Sequence, residues 1–116
     1  MRSFVEVSRE LVEHVERYRA ELERHLKTIK EVGREFFGEG VSIYVFGSTV
    51  RGDRGPLSDI DVAVVTEEKV GVDKRLAFKA RLRERLGLFH PFEIHVVSRK
   101  EWEGWYLKFV RHYWRV

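Results

Sequence analysis

Residues 43–65 read IYVFGSTVRGDRGPLSDIDVAVV. The stretch opens with an apolar run and turns at Gly47-Ser48. It then crosses a loop punctuated by Gly52 and Gly55-Pro56, and resumes as a second apolar run. β-Branched and aromatic residues bounded by glycines predict strands over 41–46 and 59–65. Side chains of a strand alternate between faces, so Asp59 and Asp61 project to one side and Ile60, Val62 and Val64 to the other. Two Cα atoms at that separation lie about 6.6 Å apart. Carboxylates so spaced can straddle a pair of divalent cations. The pair fits a solvated strand start equally well, with Ser58-Asp59 as a turn cap.

Working outward, Leu11, Val15, Tyr18, Leu22, Leu26, Ile29 and Phe36 recur at steps of three and four, with one doubled step across Gly33. Ser3 and Glu6 have capping-box spacing ahead of them. The pattern predicts a long N-terminal helix over about 4–37, continuous or as two helices in tandem, with a break near Ser8 as the alternative. A helix of that length spans about 50 Å. The core of so small a domain is shorter, so residues 4–18 are expected to overhang. A second helix is predicted over 74–86, capped by Asp73 and closed by Gly87, with Leu76, Ala77, Ala80 and Leu86 as its apolar positions.

A third strand is predicted over 92–97. It places Phe92, Ile94 and Val96 on one face and Glu93 and His95 on the other. Ser98 and Glu101 form a second capping box, opening an aromatic-rich C-terminal helix over about 99–111. The order of elements describes one α/β (α+β) domain over 1–116: a small mixed sheet with helices packed on one face and the carboxylates on the other face or near its rim.

The 116 residues are 43% hydrophobic and 35% charged, which suits a folded, soluble chain. There is no cysteine, so disulfides and thiolate metal sites are excluded. The lack of asparagine and glutamine, beside abundant Glu, Arg and Lys, points to a thermophile. No apolar run reaches membrane-spanning length and no signal peptide is visible, so a cytoplasmic location without membrane contact is expected. The net charge of +3 is compatible with a nucleotide or RNA, and equally with a surface carrying a slight excess of arginine. Lys74, Lys79, Arg81, Arg83 and Arg85 fit a solvated helix face better than a nucleic-acid one.

Glu93 adds a third carboxylate. If the strands over 59–65 and 92–97 are neighbours, Asp59, Asp61 and Glu93 converge, and a bound cation relieves their repulsion. Oxygen ligands of this kind select Mg²⁺ or Mn²⁺. Gly47-Ser48 can bring backbone N–H groups and a hydroxyl to a phosphate, although a Gly-Ser pair alone reads as a turn. Arg51 reads as a phosphate partner or a surface arginine. His95 reads first as a structural strand residue, and otherwise as a neighbour supporting Glu93 or a contact to the acceptor. The C-terminal aromatics read as core and lid, or as a partner surface.

Gly47-Ser48, ten residues, then Asp59-Ile60-Asp61 resembles the GS-x(10)-DxD signature of the DNA polymerase β-like nucleotidyltransferase superfamily. Arg51-Gly52 and Ser58 resemble its minimal nucleotidyltransferase branch. The resemblance spans about 36–97 and implies a polymerase β-like fold. It implies that Gly47 and Ser48 hold the β- and γ-phosphates of a nucleoside triphosphate. Asp59 and Asp61 would ligate two Mg²⁺ ions, and Glu93, where an aspartate is commoner, would complete the site. The implied activity is transfer of a nucleoside monophosphate, AMP from ATP, to a hydroxyl. Minimal members often pair with a HEPN-type ribonuclease toxin and modify its tyrosine. The corresponding expectation is a HEPN-type partner or a homo-oligomer. A non-catalytic antitoxin and a small-molecule nucleotidyltransferase are the alternatives.

Overall fold

The computed structural model describes residues 1–53 and 55–116. Four strands, β1 (Ser42–Phe46), β2 (Ile60–Thr66), β3 (Phe92–Ser98) and β4 (Tyr113–Arg115), form one sheet in the order β3-β2-β1-β4. β1 is antiparallel to both β2 and β4, and β2 is parallel to β3. A parallel pair needs a crossover, and helix α4 (Val72–Leu86) provides it. β1, β2 and β3 lie where strands were expected, and Ile43, Val45, Ile60, Val62, Val64, Phe92 and Ile94 all face one core.

The N-terminal region is two helices, α1 (Phe4–Ala20) and α2 (Leu22–Phe37). The break falls at Glu21, which leaves helical geometry at φ −119° and ψ 33°, and not near Ser8. Glutamate is a good helix former, so the break comes from tertiary docking. Tyr18 donates to the Leu86 carbonyl at 2.7 Å, Arg19 to the Ser58 carbonyl at 2.6 Å, and His14 Nε2 lies 2.7 Å from the Phe89 carbonyl. These bonds swing the end of α1 onto the sheet's rim while Leu26, Ile29 and Val32 of α2 sink into the core. α1 buries no residue, and Phe4, Val5 and Leu11 are exposed, so the expected overhang is present. Ser3 caps α1, its Oγ accepting from the Glu6 N–H at 3.1 Å.

α4 differs from expectation at both ends of the argument. It begins at Val72 after Gly71, without a side-chain cap, so Asp73 lies in its first turn instead of ahead of it. Its buried residues are Phe78, Leu82 and Leu86, a stripe at steps of four, while Leu76 is 58% exposed. Phe78 earns that position by meeting Phe36 and Phe37 edge-on at 5.5 and 4.9 Å.

α2 and α4 cover one face of the sheet. The other face carries Phe46, Ala63, Val65 and Val97, closed by Trp102 from the C-terminal helix. That helix is shorter than 99–111 and is not uniform. α5 (Arg99–Glu101) runs into a π-helical turn (Trp102–Tyr106) and then α6 (Leu107–Phe109). The Ser98–Glu101 capping box is formed in both directions. Residues 113–115, for which no strand was expected, turn back as β4, whose Tyr113 pairs with Phe46. Tyr44 stacks on Trp102 at 4.9 Å and meets Tyr113 edge-on at 5.4 Å, which accounts for much of the aromatic run. Among the described residues, no helix is long and apolar enough to cross a membrane.

Two measurements check this arrangement. Phe78→Ala should lower unfolding free energy by about 3–5 kcal/mol, whereas Leu76→Ala should stay within about 0.5 kcal/mol in denaturant titrations. His90 Nδ1 accepts the Phe92 N–H at 3.1 Å where β3 begins. Burial first, then Arg83, holds its pKa below the ordinary value near 6.5. The unfolded chain therefore binds a proton more readily than the folded one. His90 stability is complete above about pH 6.5 and lost as pH falls through the depressed folded value. His90→Gln should flatten that acid limb in melts recorded across pH.

Candidate active site

The register of three strands builds the site around Asp61. Asp61 pairs with Phe46 of β1 on one side and with Glu93 of β3 on the other. Because side chains alternate, Asp61, Glu93 and His95 all rise from the face opposite the α2–α4 core. A donor atom from each lies within 4.8 Å of the others. His95 Nε2 is 3.3 Å from Asp61 Oδ1 and 3.8 Å from Glu93 Oε1.

Asp59, expected to share this cluster, stands one residue before β2 and is exposed. It is outside the group of three converging donors, although its charge is felt at Glu93. Glu93 is held above the ordinary carboxylate value. Partial desolvation is the first cause, although its side chain stays 53% exposed; the Asp61 carboxylate adds to it, and His95 opposes. Two carboxylates and an imidazole at this spacing fit one divalent cation. The oxygens suit Mg²⁺ or Mn²⁺, and the nitrogen moves the set toward transition metals.

His95 is the residue that sequence reasoning undervalued. Its Nδ1 is 3.4 Å from the Tyr106 hydroxyl, and its ring packs 5.2 Å from that of Phe46. The Tyr106 hydroxyl is held above its ordinary pKa by burial first and then by Glu101 and Glu93, so it stays protonated and can donate to Nδ1. The signal available in the sequence was the i, i+2 spacing of Glu93 and His95 on one strand face. The partner from the π-helical turn was invisible.

Gly47 lies against Asp61. Its φ is +77°, and a Cβ there would collide with Asp61 Oδ2 and stand 3.2 Å from Cγ. Only glycine lets the backbone come so near a carboxylate in this conformation. The turn α3 (Ser48–Arg51) follows, with the Val50 and Arg51 N–H groups both donating to the Gly47 carbonyl at 3.1 Å. The Ser48 and Thr49 N–H groups precede the first such bond, as at any helix start. The Thr49 hydroxyl is buried without a partner among the described residues. Arg51 reaches back to Asp53, Nε to Oδ2 at 3.3 Å.

A pocket of about 510 Å³ opens here. Phe46, Gly47, Ser48, Arg51 and Asp61 form one wall, and the segment from Phe109 to His112 forms the other. It joins the predicted phosphate corner Gly47, Ser48 and Arg51 to Asp61. Glu93 and Asp59 stand outside this lining.

A family model for the nucleotidyltransferase domain matches residues 10–113. The chain belongs to that family. Among solved structures, a candidate nucleotidyltransferase is 35% identical; the alignment covers 79% of this chain and 97% of that one, with a TM-score of 0.65. A candidate nucleotidyltransferase from Sulfolobus solfataricus is 26% identical over 79% of this chain and 78% of that one, with a TM-score of 0.52. More remote is a chain from the complex of the tri-AMPylated Shewanella oneidensis HEPN toxin with MNT antitoxin: 20% identity, 64% and 54% coverage, TM-score 0.45. No curated protein matches the chain at a significant level. The family implied by the Gly-Ser and Asp-x-Asp spacing is the one found, and the mixed sheet is its fold.

Gly47→Ala tests the tight approach. It should cost about 1–3 kcal/mol in a thermal melt through backbone strain. It should also displace Asp61 and weaken Mn²⁺ binding measured by calorimetry. An alanine variant with unchanged melting and metal affinity would contradict the geometry.

Proposed function

We propose that this chain transfers a nucleoside monophosphate, AMP from ATP, onto a hydroxyl of a partner protein. The observation that carries the reading is the convergence of Asp61, Glu93 and His95 beside the Gly47–Ser48 corner. An acid cluster next to a backbone that can approach phosphate is the arrangement phosphoryl chemistry needs.

In this reading Gly47 and Ser48 bind the β- and γ-phosphates, which sets the α-phosphorus over Asp61. Asp61 and Glu93, with Asp59 at the strand start, would hold divalent ions, two Mg²⁺ or Mn²⁺. Such ions, when bound, make the acceptor hydroxyl more acidic and neutralise the leaving phosphate. The acceptor oxygen forms its bond to the α-phosphorus as the bond to the β-phosphate oxygen breaks. Pyrophosphate leaves, and the hydroxyl proton passes to the carboxylate side of the pocket. His95, braced by Tyr106, keeps Asp61 oriented while this happens.

The resemblance to minimal nucleotidyltransferases supports a tyrosine of a HEPN-type toxin as the acceptor, in a cytoplasmic toxin–antitoxin pair. The overhanging α1, with Phe4, Val5 and Leu11 uncovered, supports contact with a protein partner. That same surface favours a second reading, in which the chain silences its partner by contact alone.

One experiment separates the two. The chain, Mg²⁺, α-labelled ATP and a HEPN-type partner are incubated, and label on the partner is followed. Asp61→Asn and the Asp59→Ala/Asp61→Ala double variant should reduce transfer to background. Label transfer that ignores the aspartates would sink the enzymatic reading. Silencing by the double variant without transfer would support the contact reading.

A further inference from the structure

The wall of the pocket facing Gly47 and Ser48 comes from residues that the family signature does not include. Phe109, Val110, Arg111 and His112 link the C-terminal helix to β4. Both ends of this short link are anchored. The Val110 N–H donates to the Tyr106 carbonyl at 2.8 Å, and Tyr113 pairs with Phe46, the residue before Gly47. Pairing of β4 with β1 therefore brings the segment carrying Arg111 alongside the Gly47–Ser48 corner, and Arg111 lines the same pocket.

Charge makes the position consequential. A nucleoside triphosphate brought to Asp61 adds several negative charges to a pocket that already holds a carboxylate. Among the described residues, Arg51 is the cation that the signature region supplies, and it is paired with Asp53 at 3.3 Å. Arg111 is exposed, and among the described residues it forms no ion pair. A guanidinium presents a planar fork that matches phosphate oxygens and keeps its charge at any working pH.

We infer that Arg111 grips the β- and γ-phosphates of the nucleotide from the wall opposite Ser48, so that β4 is part of the nucleotide site. The assignment rests on the nucleotidyltransferase reading and names the group that distinguishes a triphosphate from a monophosphate. His112 lines the same pocket.

Calorimetric titration of the full chain with Mg²⁺ and AMP-PNP, and separately with AMP, tests it. Arg111→Ala should weaken AMP-PNP binding by at least about tenfold, the loss expected for a charge-assisted bond, and leave AMP within about twofold of wild type. Arg111→Lys should fall between the two, and Arg111→Gln provides a second neutral variant should alanine alter folding. The melting temperature should not move, because the side chain is exposed. AMP-PNP binding by Arg111→Ala within about twofold of wild type, or equal loss for AMP, would overturn the assignment. If wild-type binding depends on Asp61 while Arg111 is silent, only this inference falls. A wild-type chain that binds neither ligand overturns the nucleotidyltransferase reading and this assignment together.

Discussion

Asp61 and Glu93 stand side by side because β2 and β3 run parallel in register. Placing like charges together is unfavourable; Glu93 is held above the ordinary carboxylate value by partial desolvation first, and the Asp61 carboxylate adds to it. The backbone ladder between β2 and β3 enforces what the carboxylates resist. A second pairing, of β1 antiparallel to β2, puts Phe46 opposite Asp61 and so brings Gly47 against the carboxylate. The two pairings, meeting on β2, thus set the acid cluster and the Gly47–Ser48 turn beside it. α2 and α4 clamp the apolar face of these strands, through Ile29, Val32, Phe78 and Leu82, all fully buried.

The opposite face divides its labour. Its lower part is an aromatic layer in which Tyr44, Phe46 and Trp102 pack together. Tyr106 sits at the margin of that layer and hands a hydroxyl to His95, which in turn meets Asp61. The chain Tyr106–His95–Asp61 ties the C-terminal helix to the acids. The π-helical turn matters here: an extra residue per turn shifts the side chains that follow it, and Tyr106 lies within it. Stability of the apolar layer and orientation of the site are therefore one problem and not two.

Much of this was legible from residue patterns. Alternation assigned Ile60, Val62 and Val64 to the core and Asp61 to the other face, because period two leaves little choice once a strand is recognised. Ser98 with Glu101 announced the start of the C-terminal helix, since capping is local. What escaped was set by distant partners. Glu21 carries no break signal; the bend follows from where Tyr18 and Arg19 dock. In α4 the expected apolar positions shared only Leu86 with the buried stripe, because Phe36 and Phe37 draw Phe78 inward. Residues Tyr113 to Arg115 have no glycine boundary and become a strand only because the β1 edge is open to them. Within the site, Gly47, Ser48 and Asp61 were found together where spacing placed them. Asp59 lies just ahead of the regular strand, and His95 took a place that pairwise spacing could not reveal.

The parallel β2–β3 pairing has a further consequence, for how the chain reaches this state. Asp61 and His95 are 34 residues apart in sequence, and no hairpin can bring them together. The entire crossover through α4 must close first, at an entropic cost that local contacts do not offset. No short fragment of this protein holds a rudiment of the cluster. The acids meet only when β2 and β3 have paired, so the cluster is gated by topology: a chain still folding has strands and helices, but not the convergence of Asp61, Glu93 and His95.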